Sequence, residues 1–338
     1  MSEEHVVIIG NGPAGNQAAM SIRENDPEVR ITLISRESGA CCRPHLFPDL
    51  IAGKIPEEAL YACPIDAYQE RGIKLRTGQE VVRLNPEERV LMLEHKEVVR
   101  FTGLIIAVGG RPRIPEPLLV FQDLMFTLKT LRDAKAWVKR LSEVESVLIM
   151  GGDLPSLALT KALLEMGKKI TFLFNEDAFW PLRCDDALFE EVGERFSLKG
   201  VEVLANRPVK SIARKSEETY EIEVDGRKVE AGMIGAFFGL VPDIRFLAGC
   251  GLRIDRGILV DEFLNTGFEG VYATGDCAQI YHPEIRDYWV SIGHDNAVAL
   301  GHIAAQNLTG GKMQAVMPLE SIFEVKGIKV NTSWWMEF

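Results

Sequence analysis

The sequence predicts an α/β protein in which one strand–turn–helix–strand unit is used twice. Three observations carry this. A short apolar run at 6–9 leads directly into Gly10-Asn11-Gly12-Pro13-Ala14-Gly15. A second apolar run, at 146–150, leads into Gly151-Gly152. Each is followed by a helical pattern and then by another apolar run, 30–35 in the first copy and 169–174 in the second. Self-similarity of this kind marks a repeated supersecondary unit. Short apolar strands alternating with helices imply parallel sheets.

The elements follow in order. Residues 16–23 form a helix that turns Ala18, Ala19 and Ile22 inward, which completes a βαβ unit of about 30 residues. A loop rich in Gly, Cys and Pro comes next, and 46–51 reads as helical after Pro44. Strands are expected at 72–75, 80–84 and 89–93, the last two joined at Asn85-Pro86. Residues 104–108 form an apolar strand ending in Gly109-Gly110. Pro112, Pro115 and Pro117 then mark a crossover between domains. In the second half, 130–141 is an amphipathic helix and 157–166 a helix stopped by Gly167. Further strand signals run through 200–229. The run 233–238 ends at Gly239-Leu240-Val241-Pro242, and 270–274 ends at Gly275-Asp276. A long helix spans 291–308 before Gly310-Gly311, and 318–338 reads as two short strands.

Composition narrows the function classes. The chain has 338 residues, 46% of them hydrophobic, enough for about two domains. Its net charge of −11 argues against nucleic acid and against anionic membranes as partners. Met1-Ser2-Glu3-Glu4 lacks the basic start of a signal peptide. No apolar run approaches the roughly 20 residues of a membrane helix. A soluble, cytoplasmic protein is expected. The six cysteines, Cys41, Cys42, Cys63, Cys184, Cys250 and Cys277, show no metal-ligand spacing. The expectation is no metal site, and thiols that are reduced and mainly structural. Adjacent Cys41 and Cys42 are poorly placed to bridge each other.

The first glycine loop carries chemistry because it follows a strand and opens a helix. Gly10 makes the tight turn, Gly12 lets backbone approach a pyrophosphate, and Gly15 lets helix and strand pack closely. The helix N-terminus then offers free N–H groups and the positive end of its dipole. Such a loop admits either FAD or NAD. An acid at the end of the second strand usually meets the ribose. Here the strand runs into Ser35-Arg36-Glu37, so Glu37 is the candidate and Arg36 the alternative.

Four stretches together carry a resemblance: GNGPAGNQAA from Gly10, CRPHL from Cys42, LIIAVGGRPR from Leu104 and GVYATGDCA from Gly270. The chain resembles the pyridine nucleotide–disulfide oxidoreductase superfamily of FAD enzymes up to about Leu308. It is most similar to the small single-flavin reductases that serve rubredoxin and ferredoxin, and to the flavin part of assimilatory nitrite reductase. The resemblance implies a glutathione-reductase-like fold with two Rossmann-like, three-layer domains. An FAD domain would comprise 1–113 and 241–312, an NAD(P)H-type domain 114–240, and a short interface segment 313–338.

Residue by residue, it implies FAD on Gly10, Gly12, Pro13, Ala14 and Gly15. Asp276, after Gly275, stands where the family's acid holds the ribityl chain. A helix starting near Cys277 would face the flavin ring. Arg43-Pro44 resembles the pair lying along the FAD, and Val81 the position whose backbone meets adenine. Ala107, Val108, Gly109 and Arg111 resemble the link between the domains, with Val108 in place of the usual threonine. Trp289 is either an aromatic near the flavin or a core tryptophan.

The second loop departs from the pattern. In Gly151-Gly152-Asp153-Leu154-Pro155-Ser156, Asp153 replaces the second glycine and Ser156 the third. An aspartate there obstructs and repels a pyrophosphate, and Ser156 adds bulk at a tight contact. Asn175 falls where NADH-preferring relatives place an acid, and Glu176 rescues it only by a one-residue shift. No arginine follows to take a 2′-phosphate. Relatives pair a lysine with a glutamate beside the flavin. Pro48 and Ala158 stand there instead, so both partners are lost together. Gly239, in its loop, is retained. Two readings therefore stand: NADH binds through a variant loop, or the second domain is structural or binds a partner.

The flavin would carry the chemistry, so no catalytic side chain is assigned. Cys42 is a candidate redox thiol, offset from the family's redox position. The acceptor implied is a one-electron protein, either a rubredoxin or an iron–sulfur protein, held transiently or in a stable complex. Homo-oligomerisation is open. Trp334-Trp335 near the end either fold back or form an apolar patch for a partner.

Overall fold

The computed structural model describes residues 4–174, 190, 193–194, 196–284, 286–315, 321–325 and 328–332. It divides into two compact units. The first comprises Met1–Arg43, Tyr61–Arg111 and Val241–Pro318, the second Pro44–Leu60, Pro112–Leu240 and Leu319–Phe338.

The first unit begins with β1 (His5–Ile9), α1 (Pro13–Asn25) and β2 (Arg30–Ile34). After α3 (Asp66–Glu70) come β3 (Ile73–Arg76), β4 (Val81–Asn85), β5 (Val90–Leu93), β6 (Val98–Arg100) and β7 (Gly103–Ile106). The unit resumes with β17 (Ile258–Val260), β18 (Val271–Ala273), β19 (Ala278–His282), β20 (Asp287–Val290) and a long helix, α6 (His294–Leu308). Its main sheet runs β18-β7-β1-β2-β3 and is parallel throughout. The inner strands are buried on both faces, which is why their sequences read as unbroken apolar runs. β4, β5 and β6 form a separate antiparallel meander. Helix α1 buries Ala18, Ala19 and Ile22 completely, the stripe its periodicity predicts.

The second unit repeats this plan. It holds α2 (Phe47–Ile51), α4 (Leu131–Leu141), β9 (Ser146–Gly151), α5 (Leu154–Glu165) and β10 (Lys169–Phe174). Strands β11 (Glu202–Ala205), β12 (Val209–Arg214), β13 (Tyr220–Val224), β14 (Arg227–Ala231) and β15 (Met233–Phe237) follow. A parallel sheet β11-β10-β9-β15 is again joined by an antiparallel meander, β12-β13-β14. Short strands β8 (Gly110–Pro112) and β16 (Leu240–Pro242) lie where the chain passes between units. The expected terminal strands form an antiparallel hairpin, β21 (Ser321–Val325) with β22 (Ile328–Thr332). Among the described residues, no helix is long and apolar enough to cross a membrane.

Three features differ from the sequence reading. The segment 44–60, grouped there with the first unit, belongs by its contacts to the second. Helix α2 packs against α4 and α5. Two ion pairs add to this, Lys135 Nζ–Glu57 at 2.8 Å and Lys54 Nζ–Glu165 at 2.5 Å. No long helix starts near Cys277: a single tight turn, Gly275–Cys277, leads straight into β19. The last helix begins at His294, three residues later than expected. Residues before it pair as β20, and Gly293 turns the chain at φ 107°, a conformation that favours glycine.

Helix α4 illustrates how the second unit is held. Thr130 and Asp133 form a reciprocal capping box at its start. Trp137 is fully buried and lies edge-on to Phe126 at a centroid distance of 6.0 Å. Its Nε1 donates to the Thr127 carbonyl at 2.9 Å. Trp137→Ala removes this packing and is expected to destabilise the protein by about 4 kcal/mol. Chemical unfolding measures this, and a loss under about 1 kcal/mol contradicts the packing described.

Candidate functional site

In the first unit the site is built around the first turn of α1. The Gly10 N–H donates to the Ile34 carbonyl at 2.7 Å, which carries the pairing of β1 with β2 one residue past Ile9. Gly10 has φ 105°, and a Cβ there would lie 2.2 Å from the Ala107 carbonyl oxygen. A Cβ on Gly15 would lie 1.8 Å from the Gly10 carbonyl oxygen. On the opposite side, a Cβ on Gly301 would lie 2.2 Å from the Ala14 carbonyl oxygen, and one on Gly275 3.0 Å from the Ala14 Cβ. Backbone therefore packs α1 tightly between the ends of β1, β7 and β18 and helix α6.

The remaining side is open. Nothing lies within 4 Å of a Cβ built on Gly12. Gly12 is the extended N-cap residue, no side chain caps the helix, and Pro13 follows it. The N–H groups of Ala14 and Gly15 have no partner within the helix at this position. An uncapped N-terminus with clear space over the second glycine fits a pyrophosphate.

Four buried polar atoms of this unit have no hydrogen-bond partner among the described residues: Gln79 Oε1, Thr274 Oγ1, Trp289 Nε1 and Ser291 Oγ. Thr274 immediately precedes Gly275 and the half-buried Asp276. Trp289, on β20, is 4% exposed and belongs to the core cluster, so it is a core tryptophan whose N–H is left over. Buried donors of this kind normally find a partner. Unmatched atoms of this kind leave hydrogen-bonding capacity in the unit that a bound ligand can take up.

The other expected residues are placed as follows. Ala107 is buried at the end of β7, Val108 is half-buried, Gly109 has φ 61° and Arg111 is exposed. Val81 is buried in β4. Arg43 closes a segment of the first unit, and Pro44 opens the second unit's turn Pro44–Leu46. Of the two ribose candidates, Arg36 is engaged by protein: its Nη1 lies 2.8 Å from Asp243 Oδ2 and 3.8 Å from Glu80 Oε1. The hydrogen bond to Asp243 raises its pKa. The Glu37 N–H donates to Ser35 Oγ at 3.2 Å. Asn175, Glu176, Cys184 and Trp334-Trp335 lie outside the described residues.

The sequence reading missed Asn11, Asn16 and Tyr68. Tyr68 Oη donates to Asn16 Oδ1 at 2.7 Å, and the Cys41 N–H donates to Tyr68 Oη at 3.1 Å. Asn11 Nδ2 donates to the Gly39 carbonyl at 3.4 Å. Together they tie the cysteine loop to the glycine loop, and burial pushes the Tyr68 phenol up. The available signal was Asn16, a polar residue on the inward face of α1.

Cys41 is buried, and desolvation, then the neighbouring Cys42 and Cys63, push its thiol up to about 12. Cys42 is half-buried and pairs across a bridge with Tyr61. Cys277 is buried and pushed up to about 11, mainly by desolvation. Its Sγ lies 3.3 Å from the Thr274 carbonyl. At neutral pH Cys41 and Cys277 are thiols, poor nucleophiles. Among the described residues, no cluster of His, Cys, Asp and Glu is set to hold a metal.

The second unit keeps the same backbone frame. A Cβ on Gly151 would lie 1.9 Å from the Phe237 carbonyl oxygen, the counterpart of Gly10 against Ala107. The Gly152 N–H donates to that same carbonyl at 2.7 Å. The difference is Asp153, the N-cap residue of α5. Its Oδ1 accepts from the Ser156 N–H at 3.2 Å, and its Oδ2 from the Gly239 N–H at 3.1 Å. Ser156 is fully buried, and its Oγ donates to the Asp153 carbonyl at 2.6 Å. The expected clash at Ser156 is thus absorbed by an internal hydrogen bond. Desolvation raises Asp153 to about 7, against the two backbone donors and Lys129. Pro48 and Ala158 lie on α2 and α5 as expected, and Lys54–Glu165 links the chain after α2 to the far end of α5.

A family model for the pyridine nucleotide-disulphide oxidoreductases matches residues 4–306. The chain belongs to this family. Within the family it is 27% identical over 310 residues to the putidaredoxin reductase of Pseudomonas putida, covering 86% of this chain and 70% of that protein. It is 29% identical over 315 residues to the ferredoxin–NAD(+) reductase component of a 3-phenylpropionate/cinnamic acid dioxygenase from Photorhabdus laumondii, covering 92% and 79%. Among solved structures, a chain of the covalent putidaredoxin reductase–putidaredoxin complex matches with a TM-score of 0.84 at 22% identity, over 97% of this chain and 80% of that one. This last likeness shows the fold that the family member shares.

The raised Asp153 has a consequence for stability. Its carboxyl titrates near 7 when folded and at its ordinary 3.8 when unfolded. The folded state therefore binds the proton more tightly, so the stabilising contribution is complete below pH 3.8 and disappears as pH rises through about 7. Asp153→Asn removes that titration. The variant's thermal midpoint is expected to gain on that of the wild type between pH 5 and pH 8. Parallel midpoints across that range contradict the assignment.

Proposed function

We propose that this protein is an FAD-dependent oxidoreductase that passes electrons between NADH and a one-electron protein acceptor, an iron–sulfur or rubredoxin-type protein. The observation that carries the reading is the open, uncapped N-terminus of α1 over Gly12, walled by backbone at Gly10, Gly15, Ala107 and Gly275. FAD supplies the chemistry there, taking up two electrons and releasing them singly. The chain's own residues bind and orient it. The N–H groups of Ala14 and Gly15 meet the pyrophosphate, and Glu37, just past the end of the second strand, is the ribose candidate. Asp276 takes the ribityl chain, while Arg43-Pro44, the Val81 backbone, Val108, Gly109 and Arg111 line the remainder. Trp289 offers its unmatched N–H.

Residues 114–240 form the nicotinamide-type domain in this reading, with Gly151, Gly152, Ser156 and Gly239 at its pyrophosphate seat. The relatives named for putidaredoxin and for ferredoxin and NAD(+) support both ends of the electron path. The protein works in the cytoplasm, a reducing compartment that suits its five described free thiols. A second reading is favoured by Asp153, which takes the donors of that seat: an FAD subunit of a larger complex that receives electrons from a partner instead.

Two experiments test the proposal. Gly15→Val places side-chain atoms against the Gly10 carbonyl, and the purified variant is expected to lack the flavin absorbance band that the wild type shows. In anaerobic titration, NADH is expected to bleach that band in the wild type. Persistence of the band at millimolar NADH sinks the nicotinamide half of the proposal and leaves the second reading.

A further inference from the structure

We propose that the Asp153 carboxylate is a built-in occupant of the second unit's pyrophosphate seat, which a dinucleotide enters only by displacing it. The inference rests on the reading of that unit as nicotinamide-type. It goes further by naming the residue that sets its affinity.

The two glycine loops make the comparison within one chain. Both use a left-handed glycine at the strand end, pressed against the carbonyl of a neighbouring strand's last turn: Gly10 on Ala107 and Gly151 on Phe237. Both then open a helix of twelve or thirteen residues. At α1 the N-cap residue has no side chain, and the space above it is clear. At α5 the N-cap residue brings a carboxylate. That carboxylate bridges two N–H donors from separate segments, Ser156 in the first turn of α5 and Gly239 after β15. One anionic group spanning a helix N-terminus and an adjacent loop is the role a phosphate plays in such a loop.

Asp153 is 8% exposed, so its carboxylate sits inside the seat and not at its rim. The surrounding frame has not drifted. Ser156 and Thr160 have turned their hydroxyls onto backbone carbonyls at 2.6 and 2.7 Å, which leaves the two N–H groups to Asp153. The facing charge is Lys129, whose cation favours an anion at this point. The seat is therefore intact and already taken, and an incoming pyrophosphate must displace the Asp153 carboxyl and, as pH rises through about 7, meet its charge.

The test uses the full chain loaded with FAD, so that the first seat is filled, and titrates it calorimetrically with ADP-ribose. This probe carries the pyrophosphate without a reactive nicotinamide. Asp153→Gly is expected to bind it at least tenfold tighter than the wild type. Asp153→Asn, which keeps the shape without the charge, is expected to fall between them. Equal affinity in folded wild type and both variants overturns the proposal, as does weaker binding in Asp153→Gly. NADH bleaching of the flavin band separates this from the proposed function. Tighter ADP-ribose binding in Asp153→Gly with no bleaching in any form supports the occupant and refutes NADH as donor. Bleaching of the wild type with unchanged ADP-ribose affinity in the variants refutes the occupant alone.

Discussion

The first unit depends on one close approach, that of the first turn of α1 to the strands around it. The Gly10 carbonyl occupies the space a side chain on Gly15 would need, and the Ala107 carbonyl the space of one on Gly10. The Ala14 backbone stands where a side chain on Gly301 would lie. Only hydrogen atoms fit at these contacts. They bring the helix N-terminus to the carboxyl ends of β1 and β7, which is where an open parallel sheet binds ligands. Unpartnered polar atoms at Gln79, Thr274, Trp289 and Ser291 belong to this same unit. Packing and binding are therefore one constraint: the glycines that allow the helix to approach also leave its donors exposed.

The second unit shows what changes when that constraint is kept but the donors are used internally. Gly151 preserves the close approach, and the parallel sheet around β9 is complete. Two residues after the strand, the geometry is spent on a side chain. A buried carboxylate is costly to hold unless donors surround it, and here two backbone N–H groups do so. Burial raises Asp153 against those two donors, and the donors it takes are the ones that alter the seat.

The parallel strands were legible because burial on both faces leaves no room for polar residues, as in the runs at β1, β7 and β9. The glycine loops were legible because backbone clearance admits no substitute. Strands β19 and β20 were not: the resemblance implied a helix near Cys277, where β19 runs, and β20 lies just ahead of the expected helix, in residues read as no element. The Tyr68–Asn16 link was also hidden, because its partners lie 52 residues apart and neither stands out by type. The position of 44–60 shows in the packing of α2 on α4 and α5 and in ion pairs at Lys54 and Lys135, all formed across long stretches of chain. Asp153 was visible as a departure from the pattern. Its partners were not, for Gly239 donates through its backbone from 86 residues away.

The order of strands in the first sheet bears on how the chain assembles. β18 completes the sheet by pairing with β7, yet the residues that build the second unit's sheet lie between them in sequence. During synthesis β7 emerges first and presents an unpaired edge until residues 271–273 arrive. An apolar edge strand left open is a template for unwanted pairing. The second unit's strands are made while the first unit's sheet still lacks β18, so the interval between those two strands in synthesis is one in which the β7 edge is open to unwanted pairing.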